Sequence, residues 1–295
     1  MRRLPIQLKI LIASIVFFCS SGPVSATEVK PQFKRIVTMA PNLTEVVFAL
    51  GQGERVVGVS DFDKWPSAVA DIPRVGGYYN PNLEAVIKLN PDVVFMVQGR
   101  EQIDVKLQKL GITIHVFTCD NLASLHQTIG AMGEILGVEA KANELMETIR
   151  NGLDQVHVKG AERFSVMICV GMTPGSLQGV YVAGANSIHQ DLLNSIGAQN
   201  VFNDVNKDYF AVNKESIMAR RPDIIIDLIP GQDVPLDHYN QRMATWGLLP
   251  GIPAVKAKRV AILNEDYLNI PGPRIVEAAT RLKTEIDKWV IEEKE

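Results

Sequence analysis

The sequence has little of what disulfide scaffolds, metal sites and enzyme active sites need. Three cysteines in 295 residues cannot build a disulfide framework, and a chain long enough for two domains buries sufficient apolar surface without one. The five histidines show no metal-ligand spacing with one another or with acidic residues. No Gly-x-Ser-x-Gly elbow and no Cys/His pairing is apparent. These absences favour a binding protein over an enzyme and predict no metal site.

Positive charge is also scarce. The chain has 30 Lys and Arg against 33 Asp and Glu, which gives a formal net charge of −3, and it contains no basic cluster. Nucleic acids and anionic membrane surfaces are bound through clustered basic residues. The composition therefore indicates that neither is a partner.

The first 26 residues have the pattern of a secretory signal. Basic residues come first, an apolar run follows at 10–18, and Val24-Ser25-Ala26 has the small side chains of a cleavage site. The run is too short to span a membrane, although an uncleaved anchor is the alternative. We expect residues 1–26 to be a signal peptide and the mature protein, with a formal charge of −6 after loss of three basic residues, to be in the periplasm.

Cys19 raises the question of a lipid anchor. A lipid-attachment box needs small residues before its cysteine, and here Phe17 and Phe18 occupy those positions. We therefore expect no lipid anchor at Cys19.

One sequence unit occurs twice. Asn-x-Glu, a short apolar helix, Pro-Asp and a β-branched strand follow one another at 82–95 and again at 213–226, 131 positions later. Each copy places a glutamate, Glu84 or Glu215, in the first turn of its helix. Compensation of the helix dipole explains either glutamate alone. Their identical register indicates two related lobes with matched surface carboxylates, which suits arginines on a two-fold partner.

Strand and helix patterns alternate along both copies, which predicts an α/β fold of two Rossmann-like lobes with central, mostly parallel sheets. Residues 139–159 lack proline and carry apolar residues at helical spacing, so they are predicted to be one long helix joining the lobes. The lobes are then 27–138 and 160–295. Cys119 and Cys169 fall in different lobes, and we expect buried free thiols because a bridge would lock the lobes together.

Aromatic residues make up only 6% of the chain, yet many fall in segments predicted as loops. In α/β lobes such loops border the crevice where ligands bind. Packing within a loop is the alternative for any single residue. Together they favour a cleft for a large, partly apolar ligand, because tyrosine and tryptophan combine a wide face with a polar tip. The residues are Trp65, Tyr78, Tyr79, Tyr181, Tyr209, Phe210 and Tyr267.

Several motifs resemble the cobalamin and iron-siderophore periplasmic binding proteins of ABC importers, the class III proteins in which one long helix joins the lobes. The resemblance is carried by 35–45, 76–84, 91–94, 184–188, 197–202 and 271–275, and it extends over nearly the whole mature chain. Within that family the chain is most similar to the cobalamin binders.

The resemblance implies a monomer without cofactor that carries a corrinoid to the permease dimer of an ABC importer. Glu84 and Glu215 would dock to permease arginines. The ligand would be held by Asn42, Thr44, Trp65, Tyr78, Tyr79, Tyr181, Tyr209, Phe210 and Tyr267.

Other ligands of the same class are the alternatives. A haem binder would use a Tyr or His iron ligand, for which Tyr78 or Tyr79 is the candidate. A ferric-siderophore binder would need an arginine in the cleft, and the candidates are Arg74, Arg100 and Arg274. A metal-dependent enzyme on a two-lobed scaffold is the least favoured alternative.

Overall fold

Short β-branched runs form the first of two sheets in the computed structural model, which describes residues 33–77, 80–99, 101–231 and 234–292. Its strands are β1 (Ile36–Thr38), β2 (Val56–Gly58), β3 (Val93–Val97) and β4 (Thr113–Phe117). The order is β2-β1-β3-β4 and every pair is parallel. The central strands β1 and β3 are buried along almost all their length, as expected for a parallel sheet covered on both faces.

The second sheet is mixed. It contains β5 (Ser165–Gly171), β6 (Val180–Ala183), β7 (Gln199–Asn200), β8 (Tyr209–Val212), β9 (Ile224–Leu228) and β10 (Val260–Leu263). The order is β10-β9-β5-β6-β8, with β7 paired to β5. β6 runs antiparallel to both β5 and β8, and the other pairs are parallel. The predicted α/β fold with mostly parallel sheets is confirmed.

The described residues form ten α-helices around these sheets. They are α1 (Pro41–Ala49), α2 (Leu83–Lys88), α3 (Glu101–Lys109), α4 (Leu122–Leu136), α5 (Glu139–Leu153), α6 (Ile188–Ile196), α7 (Lys214–Arg220), α8 (Leu236–Trp246), α9 (Pro253–Lys256) and α10 (Ile275–Glu292). Four 3₁₀ turns lie at Gly53–Arg55, Ser67–Asp71, Ala161–Arg163 and Asp266–Asn269. α1 and α6 are both followed by a glycine of positive φ, Gly51 or Gly197, which allows the chain to reverse.

The repeated unit has the same helix ends in both copies. The side chains of Asn82 and Asn213 accept hydrogen bonds from the third residue of α2 and α7, at 3.0 and 2.9 Å. Both helices are followed by a residue in the left-handed region, Asn90 with φ 45° and Arg221 with φ 50°. These two residues are also 131 positions apart, so the two copies agree in backbone conformation as well as in sequence.

The Pro-Asp pairs of the two copies make equivalent hydrogen bonds. Asp92 Oδ2 accepts a hydrogen bond from the backbone N–H of Lys34 at 2.6 Å. Asp223 Oδ2 accepts one from the backbone N–H of Ser165 at 3.0 Å. Each aspartate thus fixes the start of the first strand of its own sheet, β1 or β5.

The helix predicted over 139–159 is shorter than expected. α5 ends at Leu153, because Val156 and Val158 turn inward and are buried, and the N–H of Val158 bonds to Ile196 O at 2.8 Å. α5 packs against α4 on one side and α10 on the other. We call residues 33–136 the first half and 161–292 the second half. A single apolar cluster extends from one half to the other, and the predicted lobe boundaries stay predictions.

The two cysteines outside the predicted signal are free and buried, as predicted. Cys169 lies in β5 and Cys119 is the second residue after β4. Burial raises the pKa of both thiols, which keeps them protonated and unreactive.

Residues 1–26, with the predicted signal peptide and Cys19, lie outside the described residues. Within the ranges that the structure describes, no helix has the length and apolar character needed to cross a membrane.

Candidate functional site

A cavity of about 390 Å³ lies where the strands of the first sheet end. Its walls come from the ends of β3 and β4, from the segments that follow all four strands, and from 269–271, which follows the last strand of the second sheet. Ligands of α/β proteins bind at this carboxyl edge. The lining residues are Ala40, Pro41, Asn42, Phe62, Val97, Gln98, Phe117, Thr118, Cys119, Asp120, Asn269, Ile270 and Pro271.

The polar groups of this first cavity are mostly neutral amides. Gln98 Nε2 donates to Asp120 Oδ2 at 3.1 Å, and Thr118 Oγ1 donates to Gln98 Oε1 at 3.1 Å. Asn42 and Asn269 add two more carboxamides. Asn269 Nδ2 is buried and has no partner among the described residues. Three carboxamides and one carboxylate, whose pKa is raised by burial, therefore face the cavity.

Several of these residues were missed by the sequence reasoning. Gln98 and Thr118 directly follow β3 and β4, and the position after a buried parallel strand is a signal that could have identified them. Phe62 is exposed, lines the cavity and lies three residues before Trp65. Asn269 carried no comparable signal, because it comes from the other half of the chain.

A second cavity, of about 400 Å³, lies at the corresponding edge of the second sheet. Its polar side chains are His238 and Arg242, both on α8. Arg242 is buried and donates to both oxygens of Asp227, and Trp246 Nε1 also donates to Asp227 Oδ2, at 2.8 Å. The other lining residues are Val170, Gly171, Met172, Ile229, Pro230, Val234 and Pro235.

Asn42 and Thr44, two predicted ligand residues, have different surroundings. Asn42 lines the first cavity. Thr44 is buried, and its hydroxyl lies 2.6 Å from that of Thr38 and donates to Ala40 O at 3.2 Å. Its side chain fastens α1 to β1 and does not line either cavity.

Trp65 and Tyr267 both lie next to Arg274. The guanidinium lies 5.3 Å from the Trp65 ring centre and 5.4 Å from that of Tyr267. It donates to Glu45 Oε1 at 2.6 Å and to Asp266 Oδ1 at 3.0 Å. Arg274 is only 9% exposed, so both aromatic rings are held by a buried cation.

Tyr181, Tyr209 and Phe210 lie in strands, so their predicted placement in loops is wrong. Tyr181 is exposed on β6, and Phe210 packs edge-on against Phe202 at 5.4 Å. These residues form two neighbouring strands because the sequence after β5 turns back into an antiparallel pair.

The hydroxyl of Tyr209 is fully engaged. It donates to His189 Nδ1 at 2.9 Å, and His189 Nε2 donates to Leu268 O at 2.9 Å. Burial raises the pKa of Tyr209 and lowers the pKa of His189 to about 4. The imidazole is therefore neutral, and this pair stabilises the packing of α6 on β8.

Two of the three candidate arginines for a siderophore pair with groups of the protein itself, and the third lies outside the described residues. Arg74 Nη1 donates to the carbonyls of Ser60 and Asp63 at 2.9 and 2.8 Å. Arg274 is engaged by two carboxylates. Arg100, like Tyr78 and Tyr79, is outside the described residues.

Glu84 and Glu215 are exposed at the second position of their helices, as their register predicts. Ile87 and Met218, one turn further along each helix, are also exposed. The two halves thus present the same small surface, a carboxylate beside an apolar side chain.

Among residues 33–77, 80–99, 101–231 and 234–292, no three His, Cys, Asp or Glu side chains are close enough to hold a metal ion. The predicted absence of a metal site stays a prediction.

Known proteins resemble the chain over most of its length. The sequence profile of the periplasmic binding protein family matches residues 36–267. An ABC transporter substrate-binding lipoprotein of Bacillus subtilis (strain 168), YvrC, is 29% identical over 270 residues, covering 88% of this chain and 81% of the relative. The vitamin B12-binding protein of Salmonella typhimurium (strain LT2) is 28% identical over 254 residues, covering 84% and 88%.

Solved structures share the fold. The periplasmic vitamin B12-binding protein BtuF of Vibrio cholerae has a TM-score of 0.71 at 22% identity, covering 88% of this chain and 98% of that one. The periplasmic haem-binding protein BhuT, in complex with two haems, has a TM-score of 0.74 at 24% identity, covering 87% and 99%.

Proposed function

The chain belongs to the periplasmic binding protein family, and we propose that it captures a corrinoid between its two halves and delivers it to an ABC importer. The two cavities at the carboxyl edges of the sheets would be the two sides of one cleft. Its relatives are substrate-binding proteins of transporters, and export to the periplasm, a monomeric state and the absence of catalysis and of a bound cofactor belong to the same proposal.

The amide character of the first cavity is the observation that carries the choice of ligand. A corrinoid presents neutral carboxamide arms around a wide ring, whereas haem presents two carboxylates. Carboxamides pair well with one another because each has donors and an acceptor. Asn42, Gln98 and Asn269 supply such groups, and the unpaired, buried Asn269 Nδ2 needs an acceptor.

The pairing of Arg274 with two carboxylates of the protein also favours a corrinoid as the ligand. A ligand with carboxylates needs a cation that is free to pair with it, since an unpaired buried charge is costly. Arg274 and Arg74 are occupied by protein groups, and Asp120 adds a negative charge at the first cavity. These features disfavour haem propionates and anionic siderophores at this cavity.

A titration tests the ligand. We expect cyanocobalamin to quench the intrinsic fluorescence in a saturable way, and Asn269→Leu to weaken binding roughly tenfold, the effect of leaving one polar group unpaired. Asn151→Leu, an exposed asparagine on α5, is the matched control and should bind normally. No quenching by cyanocobalamin, together with saturable quenching by haemin or a ferric hydroxamate, would overturn the proposal.

Haem is the second candidate, and His238 is the observation that favours it. A neutral imidazole is a common iron ligand, and His238 lines the second cavity. Haemin binding with a Soret band that changes in His238→Ala would support this candidate over the corrinoid. BhuT, similar in fold, binds haem.

Docking to the importer is assigned to Glu84 and Glu215. Exposed carboxylates at matched positions on the two halves can pair with the same arginines on both subunits of a permease dimer. Such ion pairs orient the partners and raise the association rate more than they raise the affinity. Replacing both by alanine should leave cyanocobalamin affinity unchanged while delivery to vesicles containing the permease falls. A large loss of ligand binding in the double variant would contradict the docking role.

A further inference from the structure

α1 and α6 carry an acidic residue at the same position. Glu45 lies six residues before Gly51, and Asp191 lies six residues before Gly197, and each glycine ends its helix with a positive φ. Both side chains accept a hydrogen bond from a segment of the other half. We call these two interactions the crossing contacts.

The first crossing contact joins Glu45 of the first half to Arg274 of the second. The two residues are 229 positions apart, and Arg274 Nη2 donates to Glu45 Oε1 at 2.6 Å. Arg274 directly precedes α10. A side chain at Gly272 would come within 3.1 Å of Glu45 Oε2, so glycine allows this segment to approach α1.

The second crossing contact joins Asp191 of the second half to the start of α4 in the first half. The backbone N–H of Leu122 donates to Asp191 Oδ2 at 2.8 Å. Leu122 is the first residue of α4, where the N–H groups have no partner within the helix and a carboxylate is favourable.

The two contacts are reciprocal. α4 packs against α1, and α10 packs against α6, so each crossing contact runs from the first helix of one half to the start of the last helix of the other. Two such contacts, in opposite directions, restrain both rotation and separation of the halves.

We propose that Glu45 and Asp191 are positioning residues that fix the opening of the cleft before the ligand arrives. The inference rests on the proposed function only in taking the cleft as the ligand site. Arg274 lies next to Trp65 of the first half and Tyr267 of the second. The contact between Arg274 and Glu45 therefore also fixes the positions of these two rings. A preset cleft loses less entropy on binding than one that must close.

Distances between spin labels test the proposal without any ligand. Labels at Ile87→Cys and Met218→Cys, in a Cys19→Ser background, sit on exposed helix positions in the two halves, while Cys119 and Cys169 are buried. We expect a narrow distance distribution that broadens in Arg274→Gln and in Asp191→Asn, and most in the double variant.

Arg281→Gln is the matched control. Arg281 also pairs with two carboxylates, Glu265 and Glu285, both at 2.6 Å and both in the second half. The control should keep the narrow distribution. An unchanged distribution in a folded double variant, or equal broadening in the control, would overturn the proposal. If the double variant does not melt cooperatively, Asp191→Asn and Arg274→Lys decide in its place.

Cyanocobalamin binding gives a second readout. If only about one molecule in five of the double variant keeps the preset opening, its apparent affinity for cyanocobalamin should fall about fivefold, because only those molecules can bind. Failure of the unaltered protein to bind cyanocobalamin would refute the proposed ligand and leave the label distances to decide the crossing contacts.

Discussion

Strand β9 carries a buried charge at the position where β3 carries a methionine. Asp227 and Met96 are 131 positions apart, the offset of the repeated unit, and each is the fourth residue of its strand. Met96 packs among apolar side chains of the first half. Asp227 instead accepts hydrogen bonds from Arg242 and Trp246 of α8.

The difference shows how two related halves acquire different cavities. Helix caps, left-handed residues and Pro-Asp contacts are shared, and they fix the backbone of both halves. The charged network at Asp227 holds α8 in place, and α8 supplies His238 and Arg242 to the second cavity. The first half has apolar packing at that position, and it supplies Gln98, Thr118 and Asp120 to its cavity from the segments that follow β3 and β4.

The largest expected effect comes from giving the second half the residue of the first. Asp227→Met leaves Arg242 buried beside an apolar side chain, and we expect a loss of about 3–5 kcal/mol in unfolding free energy. Denaturant titration measures it. Met96→Leu, a swap of similar volume in the first half, should cost less than about 1.5 kcal/mol.

Adding Arg242→Met should recover part of the loss, because an apolar pair can replace a buried ion pair at little cost. Trp246 would still lack its acceptor, so recovery should be incomplete. A double variant less stable than Asp227→Met alone would show that α8 needs the charge itself.

His189 provides a second contrast, because the equivalent residue of α1 is Leu43, which is also eight residues before the helix-ending glycine. Burial lowers the pKa of His189 from 6.5 to about 4. A lowered folded-state pKa means that stability is complete above pH 6.5 and is lost as pH falls toward 4. Relative to His189→Leu, the protein should lose about 3 kcal/mol between pH 7 and pH 4. Parallel curves for both proteins would contradict this assignment.

Arg274→Gln should cost less than disrupting Asp227, and the cost should depend on pH. Burial raises the pKa of Glu45 to about 7, against the opposing effect of Arg274. Below its raised pKa, Glu45 takes up a proton and no longer needs the arginine, so we expect a loss of about 2 kcal/mol at pH 8 and about 1 kcal/mol or less at pH 5. Thermal denaturation at both pH values measures it. Equal losses at both pH values would show that Glu45 does not become protonated.

Removing the helix caps should have the smallest effects on stability, and the loss should be the same in both halves. Asn82→Ala and Asn213→Ala each remove one cap hydrogen bond, and we expect each to cost about 1 kcal/mol. Unequal losses in denaturant titrations would show that the two copies have diverged in energy while keeping their geometry.

Local patterns predicted the regular parts of the fold well. The strands that the repeated unit predicts after its two Pro-Asp pairs are Val93–Val97 and Ile224–Leu228, because the β-branched runs begin directly after those pairs. The strands containing Tyr181 and Tyr209 were missed, since an antiparallel pair of four residues each has too little pattern to distinguish it from a loop.

The candidate site was predicted only in part, and the reason is distance along the chain. Asn42 was named through the family resemblance, and it lines the first cavity. Arg274 was one of three candidates for a siderophore-binding arginine, and its partner Glu45 is 229 positions away. Nothing local could show that Trp65 and Tyr267 would lie next to that arginine, because both contacts depend on how the halves pack together.

The identical register of the caps at Asn82 and Asn213 has a consequence for recognition by a two-fold permease. In the docking proposed above, Glu84 and Glu215 have the same helix position and the same cap, so each would present the same carboxylate to one of two identical permease subunits. One kind of docking site on the permease then suffices for both halves, because a two-fold partner repeats every site that it has.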